Sequence, residues 1–418
     1  MGPRTLCEST THADIVLRWS ANRTTLAACT LAFFATMMGR LVISPVVPSI
    51  AEEFAVSNAA IGLALSGMWV AYALSQFPSG LFGDRVGERA VILVAVGGTA
   101  LASVALALAP VFPVFILLTV VLGGVAGLHY SVATTLLSRL FSNTGTAIGV
   151  HSAGAPIAGL VAPVAAAYTG SLLGWRYAIA LGAVAAVPAT LLVARGIETV
   201  EPRRPEVAIR SRIEPAALFE LLSRPAIAGT MVVSVLGAFV WQGTASFLPT
   251  FLVEHRGYSE PAAGAVFSGY FVVQGIGQPG MGWLSDRIGR DAAMVVCSLA
   301  GVAGFGLYVL GPGLVSIVAA TALVGVAMSW GATMLPKFLD NMSAEEEGLG
   351  FGLVRTTYMV FGASGSVGVG LLADTFGWAA AFLTLSGILG TVVVALVGAA
   401  VRRRVRRRVT RKTGSPGG

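Results

Sequence analysis

The chain has 418 residues, of which 55% are hydrophobic and only 11% charged, with a formal net charge of +7 and a mean hydropathy of +0.81. A soluble globular chain is about 25% charged, so this one has too few charges to cover a water-facing surface of its size. Disorder, collagen-like structure and a disulfide scaffold are excluded too, and the composition is that of a polytopic membrane protein.

Residues 1–24 form an N-terminal tail with Arg4, Glu8, Asp14 and Arg18 and without the separate apolar core of a signal peptide. The apolar runs that follow predict helices, because lipid leaves the backbone to satisfy its own hydrogen bonds. Six are expected at about 25–48, 59–79, 90–109, 112–134, 146–168 and 176–194. Residues 196–225 are polar and arginine-rich and read as a linker, in which Glu214 to Pro225 can form an interfacial amphipathic helix or a solvated loop. Six more helices are expected at about 227–251, 262–283, 292–311, 313–335, 350–372 and 378–401. The domains are thus a six-helix bundle over 25–195, a second over 226–401, and a basic tail over 402–418 positioned to sit on anionic headgroups.

With the N-terminus inside, nearly all lysines and arginines fall on the cytoplasmic side, leaving Arg176 and Arg256 outside and Arg40 within a span. Both termini are therefore expected to be cytoplasmic, in a plasma membrane. Cys7, Cys29 and Cys297 have no ligand or framework spacing and read as inert apolar residues.

The two bundles repeat one another. Gly80, Asp84, Arg85 and Gly87 match Gly282, Asp286, Arg287 and Gly289 at an offset of 202. Tyr72 meets Gln274, Gln76 meets Gln278, and Arg40 meets Gln242 at the same offset. Gly149, Gly159, Gly174 and Trp175 match Gly352, Gly362, Gly377 and Trp378 at 203. Parallel repeats place a substrate site at their interface near the bilayer midplane. The interiors of spans 3, 6, 9 and 12 lack strongly polar residues, so every third helix can face lipid.

These features resemble the major facilitator superfamily over residues 24–401. The two Gly-x-x-x-Asp-Arg-x-Gly loops, Gly80 to Gly87 and Gly282 to Gly289, are similar to the family's signature between spans 2 and 3 and its copy between spans 8 and 9. From the residues alone, Gly83 and Gly87 permit a tight turn. Asp84 can cap a helix or pair with a cation across the seam. The resemblance implies a gating latch at both loops. Glu88 departs from the basic residue usual there. Span 4 lacks the arginine of many proton-coupled members, and GAPIAG in span 5 is a degenerate echo of an exporter motif.

All twenty Asp and Glu residues fall in tails, loops or span ends, so the cavity should be neutral to positive. The embedded ionisable residues are Arg40, His129 and His151, with Arg355 near a span end. Arg40 must offset the cost of an intramembrane charge, by contact with substrate or by snorkelling. Several anion-transporting branches of the resembled family place an arginine eight residues before a proline in span 1, as Arg40 and Pro48 are here. Gln242 replaces the span 7 arginine of the organophosphate branch. His129, Trp241, Gln274, Gln278, Trp330, Tyr72 and Gln76 are further pocket candidates. Helix–helix hydrogen bonding is the alternative for each glutamine. His129 and His151 are candidates for proton coupling.

The reading is an all-α, twelve-span secondary transporter working by alternating access on a small solute, with an organic or inorganic anion favoured. The alternatives are a drug or amphipath exporter and, remotely, a non-transporting membrane sensor. No enzyme chemistry, cofactor, metal or nucleic-acid partner is expected. The expected partners are substrate, bilayer and a coupling proton or sodium ion, with the chain acting as a monomer.

Overall fold

The computed structural model describes residues 12–198, 220–343 and 346–413. All regular structure among them is helical. Span 1 is α1 (His12–Leu41) followed by α2 (Val47–Phe54), with a 3-10 turn at Ser44–Val46 between them. Span 2 is α3 (Asn58–Val86) and span 3 is α4 (Glu88–Ala107). Span 4 is α5 (Phe112–Gly127) with α6 (His129–Leu140), span 5 is α7 (Thr144–Ser152) with α8 (Gly154–Leu173), and span 6 is α9 (Trp175–Gly196).

Spans 7, 8 and 9 are α10 (Pro225–Glu254), α11 (Glu260–Ile288) and α12 (Arg290–Leu310). Span 10 is α13 (Gly313–Ala327) with α14 (Gly331–Leu339), joined by a 3-10 turn at Met328–Trp330. Span 11 is α15 (Glu347–Gly362) and the start of α16 (Ser364–Thr413), which kinks at Gly377 and continues as span 12. Ten described stretches are long and apolar enough to cross a membrane. One of them, 350–405, holds two spans joined at Gly377, and α11 is as long as α3 but diluted by glycines and by Gln274 and Gln278. The interfacial helix read at 214–225 lies mostly outside the described residues, of which 220–223 form a helical turn.

The repeat extends to local chemistry. The Ser57 hydroxyl caps α3 by accepting from the Ala60 amide at 3.2 Å, and Ser259 caps α11 through Ala262 at 3.4 Å. Gly87 and Gly289 take φ of +91° and +94°, which only glycine adopts readily, and turn the chain from span 2 into 3 and from span 8 into 9. The Trp175 indole donates to Glu53 at 2.6 Å, and the Trp378 indole donates to Glu254 at 2.7 Å. Each bond ties the start of the last span in a set to the end of the first. Arg176 donates to the Ala107 and Ala109 carbonyls, as Arg256 donates to those of Val309 and Gly311. These arginines satisfy carbonyls left open where spans 3 and 9 end.

Leu101, Val184, Leu299 and Val394, on spans 3, 6, 9 and 12, are exposed, in keeping with a lipid-facing periphery. The seam between spans 1–6 and spans 7–12 is made by spans 1, 2 and 5 against 7, 8 and 11. We call the face that carries Gly87, Gly289 and the start of the basic tail the terminal face, and its opposite the far face. Toward the far face the seam is tight. The Asp374 carboxylate accepts from the Asn58 and Ala59 amides and from the Asn58 side chain at 2.7–3.1 Å, which caps α3 from span 11. Ser44 donates to the Ser246 carbonyl at 2.8 Å, and Ser49 to Glu260 at 3.1 Å. A Cβ at Gly62 would lie 2.5 Å from the Ser366 carbonyl oxygen, and one at Gly370 would lie 2.4 Å from that of Asn58. Toward the terminal face, Gly80, Gly149, Gly280 and Gly352 lie on spans 2, 5, 8 and 11 with open space beside them. The hydrogen bonds described between the two sets thus gather along the far half of the seam, while these glycines have open space beside them toward the terminal face.

Candidate functional site

Spans 1, 4, 5, 10 and 11 each break partway, at Val42–Val46, Leu128, Ala153, Met328–Trp330 and Ala363. Glycine-rich runs such as GGVAG and the Pro45 ring make these the weakest points of their helices. The polar residues of the interior gather around the breaks. In the span 11 break, the Ser66 hydroxyl donates to the Ala363 carbonyl at 2.6 Å and accepts from the Val367 amide at 3.1 Å. A span 2 serine thus substitutes for the missing helical partners.

Arg40 lies in the last turn of α1 and is 2% exposed. Its Nε donates to the Thr36 carbonyl at 3.1 Å, and Nη2 rests against the Met37 sulfur. The guanidinium carbon stands 3.9 Å from the centre of the Tyr72 ring and 5.0 Å from that of Trp69. Ring faces attract a cation but do not neutralise it. Its Nη1 has no hydrogen-bond partner. Every Asp and Glu among the described residues lies at a span end or in a connection. Arg40 is thus a buried cation with one donor nitrogen open, an arrangement costly without an anion.

Trp69 meets Trp241 edge to face at 5.3 Å, which joins Arg40's wall to span 7. The next residue, Gln242, is 2% exposed and its Oε1 has no partner. Arg40 and Gln242 are equivalent in the repeat, and each is buried with an open polar atom. Their open atoms are complementary in kind: a cationic donor on one half and a neutral acceptor on the other.

His129 and His151 come together although they lie on different spans. Their ring centres are 5.3 Å apart, and Phe33 packs on both at 5.9 and 5.1 Å. Both are fully buried, and none of their four ring nitrogens is hydrogen-bonded. Tyr130 stacks on His151 at 5.7 Å.

The remaining candidates separate into two groups. Trp330 covers Gly237 and meets Tyr358 edge to face at 5.7 Å, and Gln76 approaches the Met359 sulfur at 3.7 Å; both are at the seam or beside it. Gln274 instead donates to the Met328 carbonyl at 3.0 Å and its own carbonyl accepts from Ser329, a tie between spans 8 and 10. This is the helix–helix bonding that was its alternative reading. Gln278, one turn on, is exposed and joins none of these contacts.

At the loops, Gly87 carries the turn, whereas Gly83 is helical and a Cβ there would lie 3.3 Å from Val132, so only one of the two glycines expected to turn does so. Gly80 and Gly282 are also helical. Asp84 is half-buried and Arg85 exposed. Glu88 is buried and accepts from Arg139 at 2.5 Å, pinning the first loop to the end of span 4. Arg290 joins Asp286 to Asp340, and Arg287 lies 4.0 Å over Trp283. Lys337 and Arg403 both pair with Asp291. Each of these pairs stays within one set of six spans. Arg290, Asp291 and Lys337 edge a cleft of about 620 Å³ between spans 9 and 12, whose lining does not include Arg40.

Arg355 was counted in the sequence among the charges that set orientation. It lies two turns inside α15, partly exposed, with its guanidinium carbon 5.1 Å over the Tyr130 ring across the seam. In the sequence Tyr358, like Trp69, reads as a weaker pocket candidate, and Tyr130 lies beside His129. The signal available for them was periodic: Arg355 and Tyr358 are three residues apart and share a helix face.

The profile of the Major Facilitator Superfamily matches residues 29–263 and 230–417. A probable nitrate/nitrite transporter of Mycobacterium tuberculosis, NarK2, is 27% identical over 269 residues, covering 62% of this chain and 66% of the relative. A gallate transporter of Pseudomonas putida is 26% identical over 372 residues, covering 79% of this chain and 78% of the relative. In structure, a nucleoside transporter, NupG, matches with a TM-score of 0.79 at 15% identity, over 90% of this chain and 99% of the other. With twelve spans in two repeated sets and a family match across nearly its whole length, the chain belongs to the major facilitator superfamily of membrane transport proteins.

Proposed function

We propose that this chain is a secondary transporter of a small organic or inorganic anion, working by alternating access, with its terminal face cytoplasmic in a plasma membrane. The observation that carries the reading is Arg40: a buried guanidinium with a free Nη1, aromatic faces for company, and no carboxylate among the described span interiors. Nitrate, nitrite and gallate, named for two of its relatives, are all oxyanions. Arginine's planar fork suits such groups.

In this reading the anion docks on Arg40 and meets Gln242 from the other half. The far seam is closed and the terminal side open, so the site is reached from the terminal face. Asp84, Arg85 and Gly87, with Asp286, Arg287 and Gly289, serve the opposite closure. Where transport is coupled to protons, the paired His129 and His151 are the carriers, since each neutral ring offers one N–H and one bare nitrogen.

The test is uptake by reconstituted protein together with thermal shift against nitrate, gallate and a cationic dye. Arg40→Ala should abolish anion uptake and the anion-induced shift while the protein remains folded. Normal affinity in Arg40→Ala, or a shift confined to the dye, would overturn the anion reading.

A further inference from the structure

We infer that Arg355 is the second cation of the anion site and its outer one, supplied by span 11 to complement Arg40 from span 1. This rests on the anion reading above and adds a residue, a depth order and a route.

The register of the seam places the two arginines. Spans 2 and 11 run antiparallel: Asn58 meets Asp374, Ser66 meets Ala363 and Val367, and Gln76 meets Met359. From the Gln76–Met359 contact, Tyr72 is one helical turn toward the far face. Arg355 is one turn toward the terminal face. Their backbones are therefore about two turns, roughly 11 Å, apart along the seam. A long arginine and a tyrosine pointing toward each other span most of that gap. The Tyr358, Tyr72 and Tyr130 phenols all lie within electrostatic reach of the Arg355 guanidinium. Arg40 holds the Tyr72 ring at 3.9 Å.

Burial orders the three groups. Arg355 is partly exposed, Tyr72 is 5% exposed and Arg40 is 2% exposed. An anion entering from the open terminal side meets Arg355 first, passes the Tyr72 phenol, and reaches the free Nη1 of Arg40. Two guanidiniums in an interior without carboxylates repel one another. An anion that accepts from both removes that repulsion and contacts both halves. The faces of Trp69, Tyr72 and Tyr130 hold the two guanidiniums, which leaves ring edges and phenol or indole donors, not ring faces, to meet an oxyanion.

The experiment uses the full chain in proteoliposomes, with nitrate and gallate as probes and uptake measured at low and high salt. Arg355→Ala should raise KM about tenfold and flatten its salt dependence, because the outer charge acts through a screened, steering attraction. Arg355→Lys keeps the charge and should recover the salt dependence but not the full affinity. Should Arg355→Ala fail to reconstitute, Arg355→Gln in detergent, titrated with nitrate by thermal shift, reads the same loss of affinity. Unchanged KM and salt dependence in Arg355→Ala, with uptake still lost in Arg40→Ala, would overturn the role of Arg355 and leave the anion reading standing. Unchanged behaviour in both variants would overturn both.

Discussion

At the far face the Gly62 backbone lies against Ser366 and the Asp374 carboxylate caps α3, whereas toward the terminal face the same two spans carry Gly80 and Gly352 beside open space. The hydrogen bonds differ in the same sense. At the far face several cross between the two sets of spans, through Ser44, Ser49 and Asp374. The ion pairs Glu88–Arg139, Arg290–Asp340 and Lys337–Asp291 of the terminal face stay within one set. Small residues at both ends of one seam, with only one end engaged, are what two alternative closures require. The difference teaches that the glycines of spans 2, 5, 8 and 11 are not all spent on the contacts observed.

The comparison breaks most severely at Gly62. Gly62→Val places a branched side chain where even a Cβ would overlap the span 11 backbone. It should destabilise this arrangement by about 3 kcal/mol, the upper end of the overpacking range, read as a large drop in detergent thermal stability together with lost uptake. Gly149→Leu sharpens it from the other end. A Cβ at this position meets nothing within 4 Å, so the melting temperature should hold. Uptake should fall at least about tenfold if span 5 must close against the other set, since about 1.4 kcal/mol on the closed state suffices. An equal loss of stability in both variants would erase the distinction between the two ends. Asp374→Ala removes an exposed cap from α3 and should cost about 1 kcal/mol, measured by thermal unfolding.

The smallest effect is pH-dependent. Hydrogen bonds from Arg224 and the Ser343 amide hold the Glu346 carboxyl down to about 2, from an ordinary 4.5. A lowered carboxyl pKa contributes stability that is complete above pH 4.5 and fades as pH falls toward 2. Arg224→Ala should shift that acid-side loss upward toward pH 4.5, visible in melting temperature between pH 3 and 5, about the range where carboxylates titrate.

The architecture was legible because it is written in long-range features: apolar runs, the skew of arginines, and offsets of 202 and 203 that a helix-by-helix count preserves. The site was legible only where a residue was chemically out of place, as with Arg40. The sequence also places His129 and His151 on adjacent spans, but not face to face, because their azimuth depends on the breaks at Leu128 and Ala153. Those breaks come from tertiary packing as much as from glycine content. Arg355 was hidden by its closeness to a span end, where topogenic arginines are common. Gln274 and Gln278 show the limit of repeat arithmetic. Equivalence to Tyr72 and Gln76 predicts position along the seam, yet Gln274 turns to Met328 and Gln278 is exposed.

The paired indole–carboxylate bonds, Trp175 with Glu53 and Trp378 with Glu254, have a consequence for chain continuity. Each fastens one set of six spans by joining its first span to its sixth. Neither bond, nor the Asp374 and Ser44 contacts that unite the sets, runs through residues 199–219. Severing the polypeptide there should leave two fragments that each fasten themselves and then reunite along the far seam. Co-expressed as separate genes, the two fragments should complement one another, and their reassembly should be lost when either tryptophan is replaced.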